Sequence, residues 1–361
     1  MTTEQDIYLK ILAYGLSNDS SITPPKVDAI NWNNFYSFCE SQAIIGIGLQ
    51  CIDKLKNHFG SGLKIPQGLL LQWIGISEQI KAQNQLLNKR TKELTEYLAN
   101  KGRRSCILKG QGNALMYPAP LLRSSGDIDV WLEGSKKEIV EFVHKDYPQI
   151  NVEYHHMQYP VFDDVEVEVH YYPSYSYNKW HNHRLLQYFK EESENQFNNS
   201  TGQGFNAPTV PFNLVFQLSH MMRHFFTQGI GLRHAIDYYY LLQQDITDEQ
   251  KTELINVLKR CGMYKFFCAV LWIEKEVLGQ NKNTDMTKVN EKAGKLVLQE
   301  MLKGGNFGHL YTQRGQSILS IFAQQMAYRM QFVSQFPSEP LSRPFALVWD
   351  YVVKQVSLKT M

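Results

Sequence analysis

The chain has 361 residues, and its 37 basic against 35 acidic side chains leave a net charge of +2 at neutral pH. This balance disfavours a protein dedicated to long nucleic acids, whose affinity comes from many phosphate contacts. The 43% of hydrophobic residues excludes a disordered chain. The five cysteines form no CxxC pair, which argues against a disulfide framework or a zinc ribbon and favours a reducing compartment.

The N-terminal sequence is acidic where a secretory signal would be basic and then apolar. Apolar stretches such as Ala43–Leu49 are far shorter than the ~20 residues that span a bilayer. These features predict a cytoplasmic protein with no membrane partner.

Residues 1–103 are predicted to form an N-terminal helical region. An amphipathic stretch begins near Ile7, and a second runs from about Val27 to Leu55. Pro66 is placed like a first-turn proline, and a long helix is predicted to follow it to about Ala99.

The pattern changes at Arg104, and residues 104–175 are predicted to form a small α/β core. Ser105–Leu108 has the composition of a buried strand, and Asp127–Leu132 that of a second strand. Ser135 is predicted to cap the next helix, with Glu138 at the capping-box position.

A period of two returns at Val152–Tyr159 and Val165–Tyr171, which predicts two paired strands. Residues 176–361 are predicted to form a C-terminal helical region, in which Asn198–Pro208 is the clearest loop. The predicted fold class is therefore α+β and mainly helical, with a small mixed β-sheet between two helical regions.

Asp127 and Asp129 are the strongest candidates for chemistry. Side chains alternate along a strand, so the two carboxylates point to one face while Ile128 points to the core. Carboxylates held this close repel each other unless a cation lies between them, and magnesium prefers carboxylate and phosphate oxygens. The pair is a natural metal clamp for a nucleoside triphosphate, although such pairs also occur by chance on exposed strands.

Glu168 is the candidate third carboxylate. Val165, Val167 and Val169 define a core face, so Glu168 and its neighbours two residues away share the opposite face. The alternative is a solvated edge of an antiparallel sheet. A third carboxylate beside the pair would share the metals and activate an attacking hydroxyl.

A glycine-containing turn follows the first predicted strand, with the sequence Lys109-Gly110-Gln111-Gly112. Glycines let backbone amides approach a phosphate, and the lysine adds a positive charge. The spacing is not that of a Walker A motif. On its own, such a turn is more often structural.

These segments together resemble the uncharacterised nucleotidyltransferase family of the polymerase-β-like nucleotidyltransferase superfamily. The resemblance rests on Ile107–Gly110, Leu115–Pro118, Leu122-Arg123, Gly126–Asp129 and Glu168–His170. It implies transfer of a nucleoside monophosphate from a triphosphate such as ATP to an acceptor, with two Mg²⁺ or Mn²⁺ ions and release of pyrophosphate.

The resemblance also implies roles for individual residues. Asp127, Asp129 and Glu168 would be catalytic and hold the metal, and the phosphates would contact Lys109, Gly110, Gln111 and Arg123. One position departs from the superfamily, where the residue after the first glycine is usually Ser or Gly. Gln111 stands there and offers no hydroxyl to a phosphate.

Eight of the eleven histidines fall between His155 and His234. His220 and His224 lie one helical turn apart, but Met221 stands where a zinc protease would have its Glu. Buried, hydrogen-bonded histidines on a packed helix are the alternative.

The segment from His220 to Asp237 resembles the family's helical motif H-x-x-(K/R)-H…G-(L/I)-R-x-x-x-D. We therefore expect His224 and Arg233 to line the nucleotide or acceptor pocket. Asp237 is expected to pair with Arg233 across one helical turn.

Tyr171, Tyr172, Tyr175 and Tyr177 follow the Glu168 strand, and packing beneath a loop is favoured over stacking on a base or a sugar. The sequence leaves the acceptor open between a small molecule, a protein side chain and an RNA end. A DxD-dependent glycosyltransferase and a non-catalytic nucleotide-binding protein remain as alternatives.

Overall fold

A computed structural model shows that the chain is mainly helical, with one small four-stranded mixed sheet. The α+β fold class expected from the sequence is thereby confirmed. The residues that the structure describes are 2–17, 19–28, 30–305, 318–343 and 345. The predicted C-terminal helical region therefore extends partly over residues outside this set.

Four helices precede the sheet. They are α1 (Thr3–Leu16), α2 (Trp32–Ser41), α3 (Ile45–Phe59) and α4 (Gln67–Asn100). The single stretch predicted from Val27 to Leu55 is wrong, because a loop comes first and a turn separates α2 from α3. Ala43 adopts a left-handed conformation in that turn, with φ of 56°. Neither Gly nor Pro marks the break, and the apolar period continues across it, so the sequence alone does not indicate where α2 ends.

Helix α4 connects the N-terminal helices to the sheet, and its bounds agree with the helix predicted after Pro66. Its first half buries Leu69 and Trp73 among the helices of the larger core. Its second half buries Leu87, Leu94 and Leu98 against the sheet. A helix of 34 residues therefore contributes to both hydrophobic cores.

The sheet has the strand order β1-β2-β4-β3. Strands β2 and β4 run parallel in the centre, and each outer strand is antiparallel to its neighbour. The strands are β1 (Ser105–Ile107), β2 (Ile128–Leu132), β3 (His156–Gln158) and β4 (Val167–His170). The last two are shorter than the sequence predicted.

Two helices lie within the sheet region: α5 (Gln111–Ala114) after β1, and α6 (Lys136–Asp146) between β2 and β3. The predicted capping box of α6 forms: the Ser135 side chain accepts from the backbone N–H of Glu138, whose carboxylate accepts from the N–H of Ser135. This cap fixes the start of the crossover from β2.

The two faces of the sheet meet different surroundings. Ile128, Val130, Val167 and Val169 are buried against α4 and α6. On the other face, Trp131 packs against aromatic side chains of the C-terminal helices. Towards the start of β2 and β4 this second face opens into a cleft.

Seven α-helices follow the sheet in the described ranges, and the first two bring Phe197 and Phe212 against that second face. They are α7 (Lys179–Phe197), α8 (Val210–Phe225), α9 (Leu232–Leu242), α10 (Asp248–Arg260), α11 (Tyr264–Trp272), α12 (Glu291–Gly304) and α13 (Ile318–Met330). A π-helical turn over Ile273–Val277 extends α11. The predicted loop joins α7 to α8, and within it Asn206 accepts a backbone hydrogen bond from Ile107 of β1.

Candidate active site

The register of the two parallel strands brings the sequence-predicted carboxylates together. Asp129 of β2 is paired directly with Glu168 of β4. Asp127 comes just before the first residue of β2. All three line a single cleft of about 680 Å³ between the sheet and the C-terminal helices.

Asp129 is the most enclosed of the three, with 2% of its side chain exposed. Its Oδ1 atom lies 2.8 Å from Lys109 Nζ and 2.9 Å from His170 Nε2. Burial opposes ionisation, but the charge of Lys109 and the hydrogen bond from His170 outweigh it and hold the pKa of Asp129 below its usual range. Asp129 is therefore ionised at neutral pH.

The pKa of Asp127 is shifted in the opposite direction, upwards. Repulsion from Asp129 is the largest cause, with burial second, and together they raise the pKa of Asp127 to about 6. Two carboxylates in one cleft with pKa values moved in opposite directions are typical of a site that gathers a cation or a proton.

Glu168 accepts a hydrogen bond of 3.1 Å from Gln158 Nε2, and its carboxylate lies 3.5 Å from His156 and 3.7 Å from His170. Burial opposes its ionisation, but the nearby imidazole of His170 prevails and lowers the pKa of Glu168. Glu166, two residues earlier, is exposed. The two glutamates therefore differ in their surroundings.

The glycine turn after β1 comes close to the carboxylates. Gly110 has a φ of +49°, and a Cβ atom there would lie 3.3 Å from the carbonyl oxygen of Asp127. A Cβ on Gly112 would lie 2.9 Å from the carbonyl oxygen of Ile107. Glycine at both positions lets the backbone fold tightly beside the cleft.

The side chain of Gln111 does not follow the turn into the cleft. It is buried and donates hydrogen bonds to Asn88 Oδ1 and to the carbonyl oxygen of Asn84, both on α4. The phosphate contact predicted for Gln111 therefore receives no support from its side chain, which anchors the turn to α4 instead.

Helices α8 and α9 form the opposite wall of the cleft, to which His224 and Arg233 belong. Arg223 donates to His224 Nε2 at 2.9 Å and approaches His220 Nδ1 at 3.3 Å. Arg233 donates to the carbonyl oxygen of Ser124 at 3.2 Å. The structure thus brings both predicted residues to the carboxylates across about a hundred residues of sequence.

Asp237 is paired differently from the expectation. Its carboxylate accepts two bonds of 2.7 Å from Arg123 and one of 2.5 Å from the Tyr117 hydroxyl. Arg123 and Asp237 are both buried. The predicted pair of Asp237 with Arg233 is therefore wrong, and Arg123 mainly fastens α9 to the segment before β2.

The sequence did not identify several residues of the cleft. Tyr175 and Tyr177 line it, although packing had been the favoured interpretation. Gln325 and Arg329 of α13, together with Arg343, also line it. These three carry no local motif and lie more than 150 residues beyond Glu168.

The donor set fits a divalent metal. Ligand atoms of Asp129, Glu168 and His170 all lie within 4.8 Å of one another, the one such group among the described residues. The carboxylate oxygens of this group suit Mg²⁺ and Mn²⁺. The repulsion that raises the pKa of Asp127 is the kind that a cation relieves.

A family model described as uncharacterised nucleotidyltransferase matches residues 28–279. The match covers more than half of the chain, and the protein belongs to this family. It includes the sheet, α8 and α9 but not α12 or α13, so Arg329 and Arg343 reach the cleft from outside the matched region.

No curated protein and no solved structure matches the chain. Throughout the described ranges, none of the helices combines the length and apolar character needed to cross a bilayer.

Proposed function

We propose that this protein transfers a nucleoside monophosphate from a nucleoside triphosphate to a hydroxyl-bearing acceptor and releases pyrophosphate. The observation that carries the proposal is the pairing of Asp129 with Glu168 in the register of β2 and β4. Asp127 and Lys109 share the same cleft. Family membership supports the general class of reaction.

The proposed metal ligands are Asp127, Asp129 and Glu168. Mg²⁺ or Mn²⁺ held there, two ions in the proposed form of the site, would neutralise charge that develops on the phosphates. His170 and Lys109 keep the Asp129 carboxylate ionised and oriented.

The nucleotide is proposed to lie on the side of the cleft formed by the glycine turn. There Lys109 and the backbone around Gly110 would contact the phosphates, with Arg233 and His224 on the facing wall. The positive charge of Arg233 would stabilise the negative charge that moves onto pyrophosphate as it leaves.

In the proposed step, the acceptor oxygen forms a bond to the α-phosphorus while the bond from that phosphorus to the bridging oxygen of pyrophosphate breaks. The hydroxyl proton passes to Glu168, which is ionised and half-buried, or to water. Positioning and electrostatics account for the rate, because the protein itself forms no covalent bond.

The test determines which phosphorus atom of the triphosphate is transferred to an acceptor. The protein is incubated with a cell extract and with each triphosphate carrying ³²P at either the α or the γ position. We expect the α label on an acceptor and the γ label in pyrophosphate, with neither product formed by Asp129→Asn. Transfer of the γ label to an acceptor would indicate a kinase and contradict the proposal.

A further inference from the structure

The cleft has positive charge on both sides of the carboxylates. Arg233 lies on the side of Asp127, since it donates to the carbonyl oxygen of Ser124, three residues before Asp127. Arg223 lies over the ring of Tyr175, which packs against His155. The next residue, His156, lies 3.5 Å from Glu168, so Arg223 is on the side of Glu168. The proposed triphosphate needs the first side, next to the glycine turn, which leaves the second side for another ligand.

Arg223 has only neutral direct partners. Its guanidinium contacts the two imidazoles of His220 and His224 and lies 5.2 Å from the centre of the Tyr175 ring. Burial is the main reason that the pKa values of both imidazoles fall well below the usual range, so both are uncharged. In the part of the chain that the structure describes, no carboxylate lies within 4.0 Å of Arg223.

A half-buried guanidinium without a directly bonded counter-ion is costly, because desolvation removes water, and the carboxylates of Asp129 and Glu168 act on Arg223 only from beyond 4.0 Å. The Nε atom of Arg223 is buried and has no hydrogen-bond partner. The group is therefore arranged to bind an anion from the cleft.

A second arginine lies on the same side. The Arg343 guanidinium stacks 3.8 Å from the centre of the Tyr177 ring, and the Tyr175 and Tyr177 hydroxyls are 3.2 Å apart. Two neighbouring rings thus hold two guanidinium groups at the Glu168 side of the cleft. Stacking on tyrosine orients the planar fork of a guanidinium.

We propose that the acceptor is a small molecule that carries an oxyanion, a phosphate or a carboxylate, besides its hydroxyl, and that Arg223 and Arg343 bind this oxyanion. The guanidinium fork matches both kinds of oxyanion. The proposal rests on the proposed function in one respect: the triphosphate occupies the glycine-turn side.

The test is equilibrium dialysis of ³²P-labelled inorganic phosphate against the full chain. The protein is first saturated with Mg²⁺ and a triphosphate analogue with a methylene group between the α- and β-phosphates, which fills the nucleotide side. We expect one phosphate per chain to bind in addition to the analogue. Competition by sulfate without competition by acetate assigns a phosphate group, and competition by acetate assigns a carboxylate.

Matched variants locate the phosphate. Arg223→Gln should weaken its binding by about tenfold or more, and Arg223→Lys, which keeps the charge, by less. Arg184→Gln is the control, because Arg184 is exposed on α7 and bonds the carbonyl oxygen of Arg260. Its phosphate affinity should equal that of the wild type.

The outcomes separate the two proposals. If phosphate fails to bind beside the analogue, or Arg223→Gln binds it like the wild type, the oxyanion inference is overturned while the nucleotide site stands. If the analogue fails to bind the wild type but phosphate binding still depends on Arg223, the proposed function fails and the oxyanion site stands.

Discussion

Asp127 and Asp129 are two residues apart, yet their surroundings differ. Asp129 has Lys109 and His170 within hydrogen-bonding distance, whereas Asp127 mainly experiences the charge of Asp129. The protein compensates the charge of Asp129 fully, whereas Lys109 offsets only part of the repulsion and burial that act on Asp127. This asymmetry is the electrostatic basis of the proposed metal site.

The first prediction concerns Asp127→Asn. The folded pKa of Asp127 is about 6, above the 3.8 of an unperturbed carboxyl, so stability present at low pH is lost as the pH rises through 6. The variant removes this penalty and should be more stable than the wild type by about 1–3 kcal/mol at pH 8 without metal. The advantage should shrink towards pH 5, as measured by denaturant unfolding.

The same variant should lose metal-dependent turnover while it folds normally. A variant that keeps full metal-dependent activity would remove Asp127 from the proposed site. An unchanged free energy of unfolding at pH 8 would contradict the repulsion between Asp127 and Asp129.

The second prediction compares Glu168 on β4 with Glu166, which comes just before that strand. Glu168→Gln should lower kcat by about 100-fold or more, because the proposed proton acceptor is lost, and change triphosphate affinity less. Glu166→Gln is the matched control and should leave both values near those of the wild type, since Glu166 is exposed. Equal, mild effects of both variants would remove Glu168 from the proposed site.

At the scale of elements, a buried ion pair holds α9 to the segment before β2. Arg123 and Asp237 are each 5% exposed at the side chain and are joined by two hydrogen bonds. Arg233 is on α9 and lines the cleft, so the Arg123–Asp237 pair also positions a proposed phosphate contact. Because the pair is buried, we expect its removal to lower the free energy of unfolding.

The third prediction is that Asp237→Asn lowers the free energy of unfolding by about 3–5 kcal/mol, because Arg123 keeps a buried, uncompensated charge. Asp245→Asn is the control: Asp245 is fully exposed, its pair with Lys282 lies at the surface, and the free energy of unfolding should stay close to that of the wild type. Urea unfolding measures both. Similar small losses would show that the buried pair contributes little.

The segment after α13 is held by Glu339. Its buried carboxylate accepts hydrogen bonds from Ser176 Oγ at 2.5 Å and from the backbone N–H of Tyr177 at 2.9 Å. These contacts place Arg343 beside Tyr177. Burial outweighs the hydrogen bonds and raises the pKa of Glu339 to about 7.

The fourth prediction concerns the pH dependence of this contact. The folded pKa exceeds the unfolded value of 4.5, so the contribution of Glu339 is complete below pH 4.5 and is lost as the pH rises through 7. The loss amounts to about 3 kcal/mol at most. Between pH 5 and pH 8, the midpoint temperature of thermal unfolding should fall less in Glu339→Gln than in the wild type. An equal fall in both proteins would contradict the account.

At the scale of the whole molecule, the N-terminal and C-terminal helices share one hydrophobic core. Gln42 links them: its side chain donates to the carbonyl oxygen of Met301 and accepts from the N–H of Leu232. The sheet has a second core with α4 and α6. The division of the chain into three regions, residues 1–103, 104–175 and 176–361, remains a proposal.

Local patterns predicted much of this architecture. Capping residues and apolar periods located α4 and α6, and alternation in β4 placed Glu168 opposite the core. The sequence did not predict the break between α2 and α3, because the turn there uses Ala43 rather than a glycine.

Contacts between distant segments could not be predicted in the same way. Arg123 meets Asp237 across 114 residues, and Arg343 meets Tyr177 across a greater distance. The sequence around Asp237 is compatible with a bond to Arg123 and equally with a bond to Arg233. Only the packing of α9 against the segment before β2 decides between the two partners.

The most direct test of the central claim measures how strongly Mg²⁺ promotes binding of the methylene-bridged triphosphate analogue, by equilibrium dialysis and without any acceptor. In the wild type and in Glu166→Gln, we expect Mg²⁺ to increase the affinity by about tenfold or more. In Asp129→Asn, we expect the same affinity with and without Mg²⁺, because the proposed site has lost its central carboxylate. An Asp129→Asn variant whose affinity still rises with Mg²⁺ as in the wild type would show that these carboxylates are not the metal–nucleotide site.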